Sequence, residues 1–297
     1  VGYSCVTTVL SPAASQLLTD LPTTKVELSI ATADTSNDAW LTQAITQVSA
    51  SIQRHTKRVF APEYVQDVFD VEQDPYPYQT PGGFAQLELS RWPVLAVTSV
   101  VQTLAPGTTQ ALVQGTDFRV DNRTGRILRL NPFTGVATLW EAIPVTVTYT
   151  AGFGALELET HSAPAVSPFE VTVDEADDFS CDQGVSYANG TALVSAAANP
   201  AQGQYVVDDG VYTFNAADAS QSLAFAYATL NIPADIVEVC LKLITARFRG
   251  RARDPLLIQR DQPGLGTERF WFDTSQTGAF PPDIEDALDD YRVPTVA

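Results

Sequence analysis

The sequence predicts an α+β fold: a helical bundle packed with an antiparallel β-region, plus a small all-β, sandwich-like domain inserted into it. Three observations lead there. Two stretches, one after Asn37 and one after Pro233, repeat apolar residues at helical spacing. Between them lie runs that alternate apolar and polar with period two. At about residue 161 the composition shifts toward Ala, Asp, Ser and Gly, and it shifts back at about 231.

In chain order, the first thirty residues are polar, threonine-rich and weakly patterned, with Pro12 and Pro22 as breakers. "TKVELSIATA" reads as a short extended segment. The first helix follows. Thr35 or Ser36 can cap it, Asp38 suits its first turn, and Leu41, Ala44, Ile45, Val48, Ile52 and Val59 form one stripe. Arg54, Lys57 and Arg58 sit near its C-terminal end, where cations are favoured, and Pro62 closes it.

Strands come next. "YVQDVFDV" alternates, and "FAQLELSRWPVLAVTSVVQTL" holds two extended runs broken at Arg91-Trp92-Pro93. "TDFRVDNRTGRILRL" reads as a hairpin, with Phe118 and Val120 paired in pattern with Ile127, Leu128 and Leu130 across the turn at 122–125. "VTVTYTAGFG" puts Val145, Val147 and Tyr149 on one face and threonines on the other, and Gly152 and Gly154 stop it.

The next helix should follow within about a dozen residues, yet none is signalled before Pro233. The gap holds "PFEVTVDE", "GQYVVDD", "GVYTFN" and "SLAFAYAT", each with period two, and Asp209-Gly210 sits between two of them like a two-residue hairpin turn. Such runs suggest a small sandwich or barrel inserted at 161–230. Residues 1–160 and 231–297 then form a discontinuous core with a C-terminal arm from about 255. The helix after Pro233 carries Ile236, Val237, Cys240, Leu241, Ile244 and Phe248 on its apolar face. "PPDIEDALDDYR" is a short acidic helix with Ile284, Leu288 and Tyr291 in register.

Charge is the strongest global signal: 35 Asp+Glu against 17 Lys+Arg give a net charge of −18. That favours solubility, and it also describes a surface that does not hold a polyanion, since DNA affinity needs a basic footprint. No stretch approaches the roughly twenty apolar residues of a membrane helix. Nor does a basic stretch followed by an apolar run suggest an export signal. The sequence has no methionine, so Val1 is read as what trimming left. Cys5, Cys181 and Cys240 are widely spaced and form no paired framework. Cys240, among apolar neighbours, is expected as a buried free thiol, and synthesis in a reducing cytosol is expected.

Chemistry is hard to find. His55 and His161 lie in unrelated contexts and are expected to be ordinary helix or surface histidines. "AGFGAL" lacks the third glycine of a dinucleotide fingerprint, and no phosphate-binding loop motif occurs. The acidic runs at Asp174, Glu175, Asp177, Asp178 and at Asp283, Glu285, Asp286, Asp289, Asp290 lack the alternating loop of a calcium site and read as solvated faces. No enzyme, cofactor or metal site is expected. Arg247, Arg249, Arg251 and Arg253 make a basic island that either complements a helix C-terminus or contacts an acidic partner, such as another copy. Phe270, Trp271, Phe272 and Phe280 lie among turn formers, and with Ile284, Leu288, Tyr291 and Arg292 they are the candidate contact residues.

Six segments in this order carry a resemblance: "NDAWLTQAITQVSASIQRHTKRVF", "LSRWPVLAVTSVV", "DFRVDNRTGRI", "VTVTYTAGFG", "IPADIVEVCLKLITARFRGR" and "DIEDALDDYR". Together they resemble the head–tail connector (adaptor) proteins of long-tailed bacteriophages over most of 25–154 and 231–292. The departure is the module at 161–230, where that family has a short connection. The resemblance implies a virion structural protein at the head–tail junction. It implies a homo-oligomeric ring, commonly of twelve subunits, docked beneath the portal protein. The ring extends the DNA channel, lets genomic DNA pass without tight binding, and offers a platform to a tail-side stopper or tail-terminator protein. The alternative is a secreted or surface β-rich module that binds carbohydrate or protein; the two helices weigh against it.

Overall fold

The computed structural model describes residues 3–71, 86–105, 107–141, 143–251, 259–262, 266–269 and 280–293. Strand accounts for 40% of it and helix for 23%, so antiparallel sheets, and not a helical bundle, are the framework.

The chain opens with β1 (Tyr3–Ser11), α1 (Leu21–Glu27), α2 (Asp38–Thr56) and β2 (Glu63–Val71). It continues with β3 (Leu87–Glu88), β4 (Val94–Ala105), β5 (Thr108–Leu112), β6 (Phe118–Asp121), β7 (Arg126–Leu130), β8 (Ala137–Thr138) and β9 (Val145–Ala151). Then come β10 (Gly154–Ser162), β11 (Glu170–Thr172), β12 (Phe179–Tyr187), β13 (Val194–Ser195), β14 (Gln204–Asp208), β15 (Val211–Phe214) and β16 (Ser222–Leu230). The last elements are α3 (Ala234–Gly250), a hairpin of β17 (Gln259–Gln262) and β18 (Gly266–Arg269), and α4 (Pro282–Asp289). They fall into two compact units, a β unit of Val1–Ser15 with Ala61–Asn231 and a helical unit of Gln16–Phe60 with Ile232–Ala297.

In the helical unit, α1 takes up Thr24–Glu27 of the extended segment expected at "TKVELSIATA", and turns follow it. The Asp20 side chain accepts from Thr23 N at 2.7 Å, and a proline stands in the first turn. This cap satisfies a donor that the helix start would otherwise leave orphaned, and proline there loses no helical hydrogen bond. Lys25 is buried, its Nζ 2.6 Å from Asp38 Oδ1 and donating to Thr32 O at 3.2 Å. In α2 the stripe Leu41, Ala44, Ile45, Val48 and Ile52 is buried as expected, while Val59 lies beyond the helix. The cap position falls to Asn37, without a side-chain cap bond, and not to Thr35 or Ser36. Lys57, at φ 55°, ends the helix. α3 buries Ile236, Val239, Cys240 and Ile244, and burial pushes the Cys240 thiol up to about 11.

The first half of the β unit is a five-stranded antiparallel sheet in the order β1-β2-β9-β4-β5. β9 is its centre, and Val145, Val147 and Tyr149 on the predicted face are fully buried. The small sheet β3-β7-β6, with β8 added to β7, contributes Phe118 and Ile127 to the same core, where Trp140 Nε1 donates to Ile127 O at 3.1 Å. The predicted hairpin forms, with Val120 opposite Ile127 and Gly125 at φ 68° in the turn. Among the described residues, two acidic groups are buried in this part, Glu63, which lies 3.5 Å from Arg91 Nε, and Asp67. Asp67 is fully buried and accepts from Tyr149 OH at 2.7 Å, Ser90 N at 2.8 Å and Ser90 Oγ at 2.9 Å. Its carboxylate is thus paired on both oxygens, the condition under which a buried charge is tolerated.

The second half begins where "AGFG" ends. β10 runs antiparallel to β16 from Gly154 opposite Leu230 to Ser162 opposite Ser222, and β12 pairs with the other edge of β16. A second sheet, β11-β15-β14-β13, shares a largely aromatic core with it: Phe179, Tyr205, Tyr212, Phe214, Phe225 and Tyr227. The expected hairpin turn is present, with Asp209 at φ 46° and Gly210 at φ 79° joining β14 to β15. Asp182 is buried here and accepts from Tyr205 OH at 2.5 Å, Tyr212 OH at 2.9 Å and Gly184 N at 3.0 Å. Burial nonetheless pushes its carboxyl above the usual range, and pushes the neighbouring Cys181 thiol up to about 12.

The chain leaves and returns at one place. Asn231 N donates to Phe153 O at 2.9 Å. The glycines there have a packing reason: a Cβ on Gly154 would stand 1.8 Å from Thr229 O, and Gly152, at φ 144°, lies against Pro62.

Candidate functional site

Of the predicted contact residues, Phe270, Trp271, Phe272 and Arg253 lie outside the described residues. Phe280 is buried, its ring edge-on to His55 with centroids 5.1 Å apart. Ile284 and Leu288 are buried as well. Tyr291 OH donates to the Asp235 carboxylate at 2.8 Å, and its ring lies 5.9 Å from Phe60. Burial, then the hydrogen bond to Asp235, pushes this phenol up to about 12. Val293 N closes the segment onto Thr56 O at 2.9 Å. A helix as short as α4 needs a packed partner, and it has one within its own unit. Among the described members of the set, Arg292, 3.7 Å from Asp289, is the exposed one.

The basic island divides. Arg251 Nη1 donates to Asn37 Oδ1 at 2.7 Å, with its guanidinium 4.2 Å from the Phe248 ring centroid and 5.9 Å from that of Trp40. It therefore joins the end of α3 to the start of α2 by a hydrogen bond and cation–π contact. Arg247 and Arg249 are exposed.

Two apolar surfaces escape sequence reasoning. Phe133 is 95% exposed, with Val136 and Leu139 exposed nearby. Its turn is not loose: Asn131 Oδ1 accepts from Phe133 N at 2.9 Å and Thr134 N at 3.2 Å, and Asn131 N donates to Val136 O at 2.9 Å. The signal was an aromatic enclosed by turn formers in "NPFTG". The other is β1, the edge of its sheet, which exposes Val6, Val9 and Leu10. A long edge strand with apolar side chains is a template for pairing with another chain. Aromatics held rigidly in solvent are the usual anchors of protein interfaces.

The histidines differ from expectation in one case. His55 is half-buried, its Nε2 closed off from solvent and its ring edge-on to Phe280. His161 is not isolated: Glu159 and Asp174 each bring a carboxylate oxygen to it, all three ligand atoms lying within 4.8 Å of one another.

No protein-family model matches the chain, and no curated protein matches it. Solved structures do show similarity. The chain aligns over 100% of its length with 98% of a chain from the neck of an empty GTA particle computed with C6 symmetry, at 14% identity and a TM-score of 0.41. It aligns over 98% of its length with 97% of a chain from the virion of a native gene transfer agent (GTA) particle, at 12% identity and a TM-score of 0.44. A chain from the neck of a native GTA particle computed with C12 symmetry is similar over 100% of this chain and 98% of that one, at 14% identity and a TM-score of 0.38.

Proposed function

We propose that the protein is a non-enzymatic adaptor of a phage-like particle. In this reading it forms a ring, twelve-membered by its resemblance, beneath the portal protein, extends the DNA channel, and offers its far side to a tail-side protein. The observation that carries the reading is the hydrogen bond from Asn231 N to Phe153 O. The resembled family joins the "VTYTAG" strand to the proline-led helix by a short connection. Phe153 and Asn231 meet through this bond, and we read 161–230 as a β-module added at that connection, its residues packing around an aromatic cluster of their own. The net charge of −18 supports the same reading, because a wall poor in cations lets DNA pass without retaining it. The contact surfaces proposed for the ring are the Phe133 turn and the β1 edge, with Arg247, Arg249 and Arg292 as rim charges.

The test is native mass spectrometry and negative-stain imaging of the purified chain, alone and with its particle's portal assemblies. Rings that bind the portal are expected. A chain that stays monomeric and ignores portal assemblies at every concentration tried overturns the reading. DNA binding is a second readout: only weak, nonspecific binding is expected even at low salt.

A further inference from the structure

We propose that Glu159, His161 and Asp174 bind one divalent transition-metal ion, Zn²⁺ being the best match. β10 breaks the rule that apolar side chains face inward. Leu158 is 74% exposed, while the Glu159 and His161 side chains, two residues apart on the opposite face, are 13% and 28% exposed. Departures of this kind concentrate where a chain gives up local consistency for a function.

The three groups are arranged as ligands. His161 Nε2 lies 3.2 Å from Glu159 Oε1 and 3.9 Å from Asp174 Oδ1. Neighbouring ligand atoms of a tetrahedral zinc site, at bond lengths of about 2.0–2.2 Å, stand about 3.3–3.6 Å apart. Nε2 is closed off from solvent, yet it has no hydrogen-bond partner among the described residues. It faces two carboxylate oxygens within ion-pair range, a donor set that a cation can share.

The surroundings hold these groups in place. The His161 ring stands edge-on to Phe225 with centroids 5.7 Å apart. Asp174 N donates to the Glu159 carboxylate at 3.2–3.3 Å, fixing one ligand through the backbone of another. Val173, next to Asp174, is buried and donates its N–H to Gly210 O at 3.1 Å. Imidazole with two carboxylates suits zinc and its neighbours better than calcium, which takes oxygen ligands in larger number. Three protein ligands leave a fourth position for water or for a group from a partner.

The test uses the full chain, freed of metal with chelator, in calorimetric titrations with ZnCl₂ and CaCl₂. One Zn²⁺ per chain is expected, together with a melting temperature that rises with Zn²⁺ concentration. His161→Gln and Asp174→Asn should each weaken this binding at least tenfold; Asp174 is exposed, so its variant folds. Asp286→Asn, in a different acidic run, should change nothing. The proposal fails if His161→Gln and Asp174→Asn bind Zn²⁺ as the parent does, or if Ca²⁺ binds equally well. It fails also if the folded parent binds no Zn²⁺ at submillimolar concentration, which would leave the cluster an ordinary histidine–carboxylate ion pair.

Discussion

The Tyr149 hydroxyl donates to the fully buried Asp67 carboxylate at 2.7 Å and accepts from Arg91 N at 3.1 Å, so one phenol ties two strands of the main sheet to the loop before β4. Tyr149→Phe keeps the ring and removes both bonds, leaving a buried acceptor and a backbone donor short of partners. The expected loss is about 2 kcal/mol of unfolding free energy, read by urea denaturation. An unchanged midpoint would mean that water replaces the hydroxyl.

Asp182 should give the protein an unusual pH response. Its carboxyl is raised by burial, so between the ordinary carboxylate value and the raised one the folded state holds a proton that the unfolded state releases. Stability from this group therefore increases as pH falls through that window and is lost as pH rises through the folded value. Asp182→Asn removes the titration. The stability advantage of the parent over this variant should widen on acidification below neutrality. A difference that stays constant with pH would refute the assignment.

Gly154→Ala tests the glycine at the strand junction. The added carbon would stand 1.8 Å from the backbone oxygen of Thr229, an atom that cannot rotate away. A loss of about 3 kcal/mol is expected from the forced backbone shift. Alanine at Gly190, where nothing stands within 4 Å but φ is 84°, separates backbone strain from collision and should cost less, about 1 kcal/mol.

Phe133→Ser should leave the melting temperature of the isolated chain unchanged, because a 95% exposed ring contributes little to its own fold. If the turn anchors a subunit contact, self-association should weaken about thirtyfold, the effect of one hot-spot side chain. Sedimentation at several concentrations reads both outcomes. Equal association of parent and variant would move the contact elsewhere.

Replacing residues 155–229 by a short Gly/Ser linker should leave the remainder cooperatively folded, since Phe153 and Asn231 already meet and closing a short loop costs little. Calorimetry without a cooperative transition would make the segment integral to the rest.

The strongly patterned parts of this fold were legible in the sequence. The α2 stripe, the Asn122–Gly125 and Asp209–Gly210 turns and the buried face of β9 follow from local spacing, as do Ile236, Cys240 and Ile244 of α3. In that helix Val237, Leu241 and Phe248 are only half-buried, and Val239 takes a buried place the spacing did not give it. What escaped has physical causes. β1 is held by backbone pairing to β2 with most of its side chains in solvent, so it carries no alternation. β12 shifts register twice, between Phe179 and Cys181 and between Asp182 and Gly184, which erases a period of two. α1 depends on the Asp20 cap more than on an apolar stripe. The residues near His161 are out of sequence reach in a different way. Asp174 meets it only because the turn after β11 folds back over β10.

The buried thiols give the protein two built-in clocks. Cys181 sits in the β unit and Cys240 in the helical unit, both shielded and both held protonated by burial. Alkylating reagents attack the thiolate, so neither sulfur reacts until its own surroundings open. With the exposed Cys5 changed to serine, the rate at which each remaining cysteine is labelled would time the opening of one unit independently of the other, with no dye or tag added.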